Sequence, residues 1–140
     1  MIIKELEKDD YSLISQTRRK LEEVFEFTNG SRRHTVAAGA LGESGKMYFS
    51  VNCDSIHGTC AEIIAVVNSV MAKEKKLKTI VAVNIRSNNK YDMILSPCGN
   101  CRQVLFENYP DIDVILVENN HYIKVKIKDL LPFEYSGAYN

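Results

Sequence analysis

Neither charge sign is in surplus: 18 basic residues balance 18 acidic ones, for a formal net charge of +0. A protein that grips duplex nucleic acid usually carries a basic excess to meet phosphates, so the balance argues against a nucleic-acid partner and for a small or uncharged ligand. No run of 18 consecutive apolar residues occurs, which removes the expectation of a membrane span or membrane partner. The opening residues, Met1 to Asp10, lack the apolar stretch of a secretory signal, so a cytoplasmic protein is expected. In a reducing compartment the four cysteines read as thiols, serving metal, catalysis or packing, and not as disulfides. Also missing are internal repeats, low-complexity tracts and any linker rich in Pro, Gly or Ser. With 140 residues, 45% hydrophobic and 26% charged, the chain fits one compact domain over residues 1–140.

The hydrophobic periods give a run of elements. Asp9 or Asp10 is placed to cap a helix carrying Leu13, Ile14, Leu21, Val24 and Phe25, and Asn29-Gly30 stops it. His34 to Leu41 and Lys46 to Asn52 read as a hairpin around Gly42-Glu-Ser-Gly45. A second helix runs from Cys60 to about Lys75, with Lys73-Glu-Lys-Lys76 as its solvated end. Thr79 to Ile85 has the look of a buried central strand. Pro97 suits the first position of a third helix through about Tyr109. Ile112 to Val117 and Tyr122 to Ile127 are strands around Glu118-Asn-Asn-His121, and a short helix near Asp129 precedes Pro132. The order αββαβαββα, with crossovers of βαβ length, predicts a three-layer α/β/α domain with a five-stranded mixed sheet, its strand order undetermined.

Two segments carry chemistry: Cys60-Ala61-Glu62 and Pro97-Cys98-Gly99-Asn100-Cys101. Alone, Cys-x-x-Cys is as compatible with redox chemistry as with metal. Both segments fall at expected helix N-termini, where free N–H groups and the helix dipole favour thiolates. A catalytic zinc takes three protein ligands and leaves one position for water. Glu62 cannot share a mid-helix face with Cys60, since two residues turn a helix about 200°. At a first turn, Cys60 can lean back to a metal while Glu62 reaches the open position. Three thiolates leave a site with zinc at net charge −1, and Arg102 is the nearby cation available to offset it.

Cys-x-Glu followed by Pro-Cys-x-x-Cys is the zinc-deaminase signature. Cys60-Ala-Glu62 with Ser96-Pro-Cys-Gly-Asn-Cys-Arg-Gln-Val-Leu105 resembles the small homo-oligomeric cytidine deaminases and the related blasticidin-S deaminases. The likeness covers nearly the whole chain, including Val36-Ala-Ala-Gly-Ala-Leu41, Asn52 and Leu130-Leu131-Pro132. It implies that Cys60, Cys98 and Cys101 hold one Zn²⁺ per chain. Zinc-bound hydroxide would attack C4 of a cytosine nucleoside, as in pyrimidine salvage, with Glu62 shuttling the proton to N3 and then to the departing ammonia. The Ala61 backbone would seat the pyrimidine edge, Asn52 and Asp54 would hold the sugar, and Phe133, Tyr135 or Tyr139 would close the pocket, in one subunit or its neighbour. A homo-tetramer is implied as well. Cytidine deaminases typically read Asn-x-Glu where this chain reads Asn52-Cys53-Asp54, and often Arg where it has Ile63. Both departures, with the Phe133-Glu-Tyr-Ser-Gly-Ala-Tyr139 tail, resemble the blasticidin-S deaminases more.

A rival reading is a non-catalytic structural zinc module in which Cys53 supplies a fourth ligand and leaves no position for water. His57, three residues before Cys60, is expected to be an exposed loop residue. His34 and His121 read as strand and turn residues, and Tyr48 and Phe49 as hairpin packing.

Overall fold

A computed structural model describes residues 1–137. Helix α1 (Lys8–Phe27) is followed by β1 (Val36–Gly42), β2 (Met47–Val51), α2 (Ala61–Met71), β3 (Leu77–Asn84), β4 (Ile94–Leu95), α3 (Gly99–Asn108), β5 (Asp113–Glu118) and β6 (His121–Lys126), and a 3-10 turn (Ile127–Leu130) comes last. The strands form one sheet in the order β2-β1-β3-β5-β6, with β4 on β3. Only β3 and β5 run parallel, so the sheet is mixed as expected. It has six strands where five were expected. The additional β4 pairs Leu95 with Ala82 and Ile94 with Val83, and two residues are too few to show a period.

Alternation along the strands makes the three layers. Ala37, Leu41, Val81, Val83 and Ile115 point to one face and pack with Leu13, Ile14 and Leu21 of α1. Ala38, Ala40, Ile80 and Val114 point to the other, against Ala61, Ala65 and Val66 of α2 and Leu105 of α3. Small residues on β1 let the helices come close. A Cβ on Gly39 would sit 1.9 Å from the Thr17 hydroxyl oxygen, inside α1.

Several element ends differ from expectation. Helix α1 begins with Glu7 as its N-cap, and Asp10, already inside the helix, accepts the Glu7 backbone N–H at 2.8 Å. At its C-terminus Asn29 and Gly30 both take positive φ, the expected stop. Helix α2 ends at Met71, short of Lys75, because Lys73 adopts φ 63°. The N–H groups of Lys73 and Glu74 turn back to the carbonyls of Val70 and Ser69, at 2.9 Å each, which satisfies the last carbonyls of the helix. Pro97 is not the first residue of α3: Cys98 is the N-cap and Gly99 opens the helix. The terminal element is the 3-10 turn, not an α-helix. Among the described residues, no helix is long and apolar enough to cross a membrane.

Candidate metal centre and adjoining pocket

Two helix starts build the site. Cys60 is the N-cap of α2 (φ −69°, ψ 152°) and Cys98 the N-cap of α3 (φ −69°, ψ 170°), and Cys101 lies in the first turn of α3. Because α2 and α3 pack into the same cluster on one face of the sheet and touch each other, the two N-termini converge. The sulfurs of Cys60, Cys98 and Cys101 lie within 4.8 Å of one another, and Cys60 Sγ is 3.8 Å from Cys98 Sγ. Ligands about 2.3 Å from a tetrahedral zinc stand roughly 3.8 Å apart, so the donor set fits that ion.

The thiolate forms of Cys60 and Cys101 are poorly accommodated without a cation. Burial pushes the Cys101 thiol far above its ordinary value, and the Glu62 carboxylate adds to the effect. Cys60 is raised as well, chiefly by burial. For Cys98, burial is outweighed by the backbone N–H groups of Cys101 and Asn100 and by the neighbouring thiols, and the net shift is downward. One thiolate is therefore favoured by the helix start, and three crowded together call for a positive ion.

Glu62 is buried, with 7% of its surface exposed. Burial raises its carboxyl above the usual range, opposed by its own backbone N–H. It lines a cavity of about 370 Å³ together with Cys60 and Cys98, so acid, sulfurs and open space meet. Asn52, Asp54 and Ala61 line the same cavity. Asn52 Oδ1 accepts the Val36 N–H at 3.0 Å, and the Asp54 backbone pairs with Arg33 through Asp54 N–H to Arg33 O at 3.0 Å. Ala61 O accepts the Ser50 hydroxyl at 2.6 Å, anchoring the start of α2 to β2.

Other expected residues fall elsewhere. Arg102 donates from Nε to Pro97 O (2.8 Å) and from its terminal nitrogens to Leu130 O (2.9 Å) and Ser96 Oγ (2.9 Å). Among the described residues none of its hydrogen bonds reaches a sulfur. Cys53 lines the cavity and bridges Thr59, but is not among the three clustered sulfurs. The fourth ligand that a closed structural site requires is thus absent among the described residues. Phe133 and Tyr135 are exposed and do not line the cavity, and Tyr139 lies outside the described residues. His57 is exposed as expected, His34 Nδ1 lies 2.7 Å from Asn52 O, and His121 meets Glu5 at 3.1 Å. Tyr48 donates its hydroxyl to Glu74 at 2.8 Å. Ser55, Ile56, Gly58, Thr59, Leu95 and Ser96 complete much of the cavity wall; none was expected there, and their one signal is position just ahead of Cys60 or of Pro97.

The mixed sheet is layered between helices, and its helix starts bring three thiols that could hold a metal ion beside a buried carboxylate. No family model matches the chain. It is 28% identical to blasticidin-S deaminase of Bacillus cereus over 137 residues, covering 94% of this chain and 95% of that protein. With cytidine deaminase 7 of Arabidopsis thaliana it shares 33% identity over 118 residues, 74% of this chain and 36% of the plant protein. The cytidine deaminase of Mycobacterium tuberculosis superposes with a TM-score of 0.70 at 22% identity, over 93% of this chain and 99% of that one. That of Bacillus anthracis gives 0.64 at 24%, over 90% and 91%. Over nearly its whole length the chain is similar to a blasticidin-S deaminase, and its fold is that of the cytidine deaminases; the proteins it resembles are hydrolytic enzymes.

Proposed function

We propose that this chain, as a single unit, carries out zinc-dependent hydrolytic deamination at C4 of a cytosine nucleoside, releasing ammonia and the uracil nucleoside. The observation that carries this reading is the meeting of three clustered sulfurs and the buried Glu62 at one cavity. Cys60, Cys98 and Cys101 would hold one zinc per chain. When bound, zinc supplies the Lewis acidity that lets a water ionise near pH ~7 instead of ~15.7. Glu62 takes the proton given up by the attacking water, delivers it to N3 of the ring and then serves the departing amine. Its burial suits this work, since a carboxyl raised above its usual range is better able to act as base and then as acid in one turnover. Asn52 and Asp54 offer an amide and a carboxylate to the sugar, and the Ala61 backbone faces the base.

Similarity to a blasticidin-S deaminase over nearly the full length, with Asp54 and Ile63 in this sequence, favours a cytosine nucleoside antibiotic as a second reading of the substrate. We further assign the chain to a cytoplasmic homo-tetramer acting in pyrimidine salvage. Exposed Val67, Val70 and Met71 form an apolar strip on α2 that supports self-association, and the exposed side chains of Phe133 and Tyr135 are open to contact with a neighbouring copy.

The test is a deamination assay on cytidine, deoxycytidine and blasticidin S side by side, with metal content measured on the same preparations. Glu62→Gln should keep its zinc and lose about 10²–10⁴-fold in turnover, the usual worth of a general acid–base group. Zinc-loaded wild type inactive on all three substrates would overturn the reading.

A further inference from the structure

Arg102 brings a positive charge near the sulfurs, yet its hydrogen bonds describe a different task. Ser96 and Pro97 lie between the end of β4 and the Cys98 N-cap, outside both elements, so neither a ladder nor a helix holds them. The guanidinium spans this gap. Nε donates to Pro97 O at 2.8 Å, one residue before the Cys98 ligand position, and a terminal nitrogen donates to Ser96 Oγ at 2.9 Å. The other terminal nitrogen reaches Leu130 O in the 3-10 turn, also at 2.9 Å. Next to it, Gln103 Nε2 donates to Tyr135 O at 3.0 Å. Two successive residues of α3 therefore tie the C-terminal segment to the turn that bears Cys98.

We propose that Arg102 is a positioning residue: its planar fork clasps the Ser96–Pro97 backbone to Leu130 and so holds the Cys98 sulfur in place for the metal. This rests on the reading of the three sulfurs as a metal site. A guanidinium has donors fixed in one plane, able to serve three acceptors in different directions, whereas an ammonium is a compact point charge that cannot span them. Groups that orient a ligand without touching the metal typically change affinity by 10–100-fold when removed. The clasp and the charge-offset idea thus make opposite statements about lysine. Lysine keeps the charge and loses the fork.

The experiment is competition for zinc between the reduced apo-protein and a chromophoric chelator, with cobalt ligand-field spectra as a second readout of coordination geometry. Arg102→Lys and Arg102→Gln should both weaken zinc by about tenfold or more and broaden or shift the cobalt bands. Ser96→Ala, which keeps the arginine and removes one acceptor, should weaken zinc by a smaller factor. Wild-type affinity in Arg102→Lys with loss in Arg102→Gln would assign the effect to charge and overturn the clasp, as would unchanged affinity in both. If neither arginine variant folds, as judged by circular dichroism, Ser96→Ala decides, and wild-type affinity there overturns the proposal. Wild type that fails to take up zinc would instead sink the metal reading beneath it.

Discussion

Ile56 presents an apolar side chain, 93% exposed, on the wall of the cavity, in the same loop as the Asn52 amide, the Asp54 carboxylate and the Ser55 hydroxyl. Its loop is held shut: Cys53 and Thr59 exchange N–H···O bonds of 3.0 Å each, and Gly58 N–H bonds Ser55 O at 3.2 Å. A Cβ on Gly58 would lie 2.2 Å from Cys53 O, so only glycine fits there. An apolar group fixed in this way contributes by contact with the part of a substrate remote from the reacting carbon. Ile56→Ala should raise KM about fivefold, corresponding to ~1 kcal/mol of lost apolar contact, and leave kcat unchanged. Steady-state kinetics on cytidine and blasticidin S check this, and a fall in kcat with constant KM would contradict it. At this scale the sequence is very uneven as a guide. Cys60, Glu62, Cys98 and Cys101 are legible because their spacing is local and each belongs to a helix start. Ile56 and the partners of Arg102 are not, because their meaning lies in contacts with residues up to 28 positions away.

The clearest element-level device is the docking of α1 on β6. Lys124 Nζ meets Asp10 Oδ2 at 2.8 Å, with side chains 8% and 2% exposed, and the N-terminal segment adds Lys4–Lys124 backbone bonds of 2.9 Å on the outer edge of β6. Removing one charge leaves the other buried and unpaired, which costs far more than the pair contributes. Asp10→Asn retains an acceptor for the Glu7 N–H and removes only the charge. It should therefore destabilise by about 3–5 kcal/mol in denaturant unfolding. The double change Asp10→Asn with Lys124→Met should recover much of that loss. Equal destabilisation in the single and double variants would show that the ion pair is not the cause. The acid at position 10 was expected as a cap, and its pairing with Lys124 could not be read because hydrophobic period says nothing about which strand a helix crosses. The helix and strand cores were legible for the converse reason: their apolar spacing reports which residues are inside. Their ends were set by contacts such as the Lys73 turn, and so moved.

Across the whole molecule the two faces of the sheet differ in kind. The α1 face closes on a continuous apolar cluster through Leu13, Leu21, Val83 and Ile115. The opposite face holds α2 and α3, whose first turns converge on three thiols, two of which, Cys60 and Cys101, are raised chiefly by burial. A metal there would staple two helix N-termini drawn from distant parts of the chain, a juxtaposition created by the order β2-β1-β3-β5-β6 that periodicity alone could not supply. An ion that binds the native state at 1,000 times its dissociation constant adds about 4 kcal/mol, less whatever the unfolded thiols retain. Chelation should accordingly lower the thermal midpoint by roughly 10 °C, reversibly on adding zinc. Cys98→Ser should start near the lowered value and respond little to chelator, while Cys53→Ser should behave as wild type. Hydrogen exchange would locate the effect: amides in the first turns of α2 and α3 should lose protection when the metal leaves, and those of α1 should keep it. Uniform loss over both faces would mean that the ion supports the entire fold and not one layer of it.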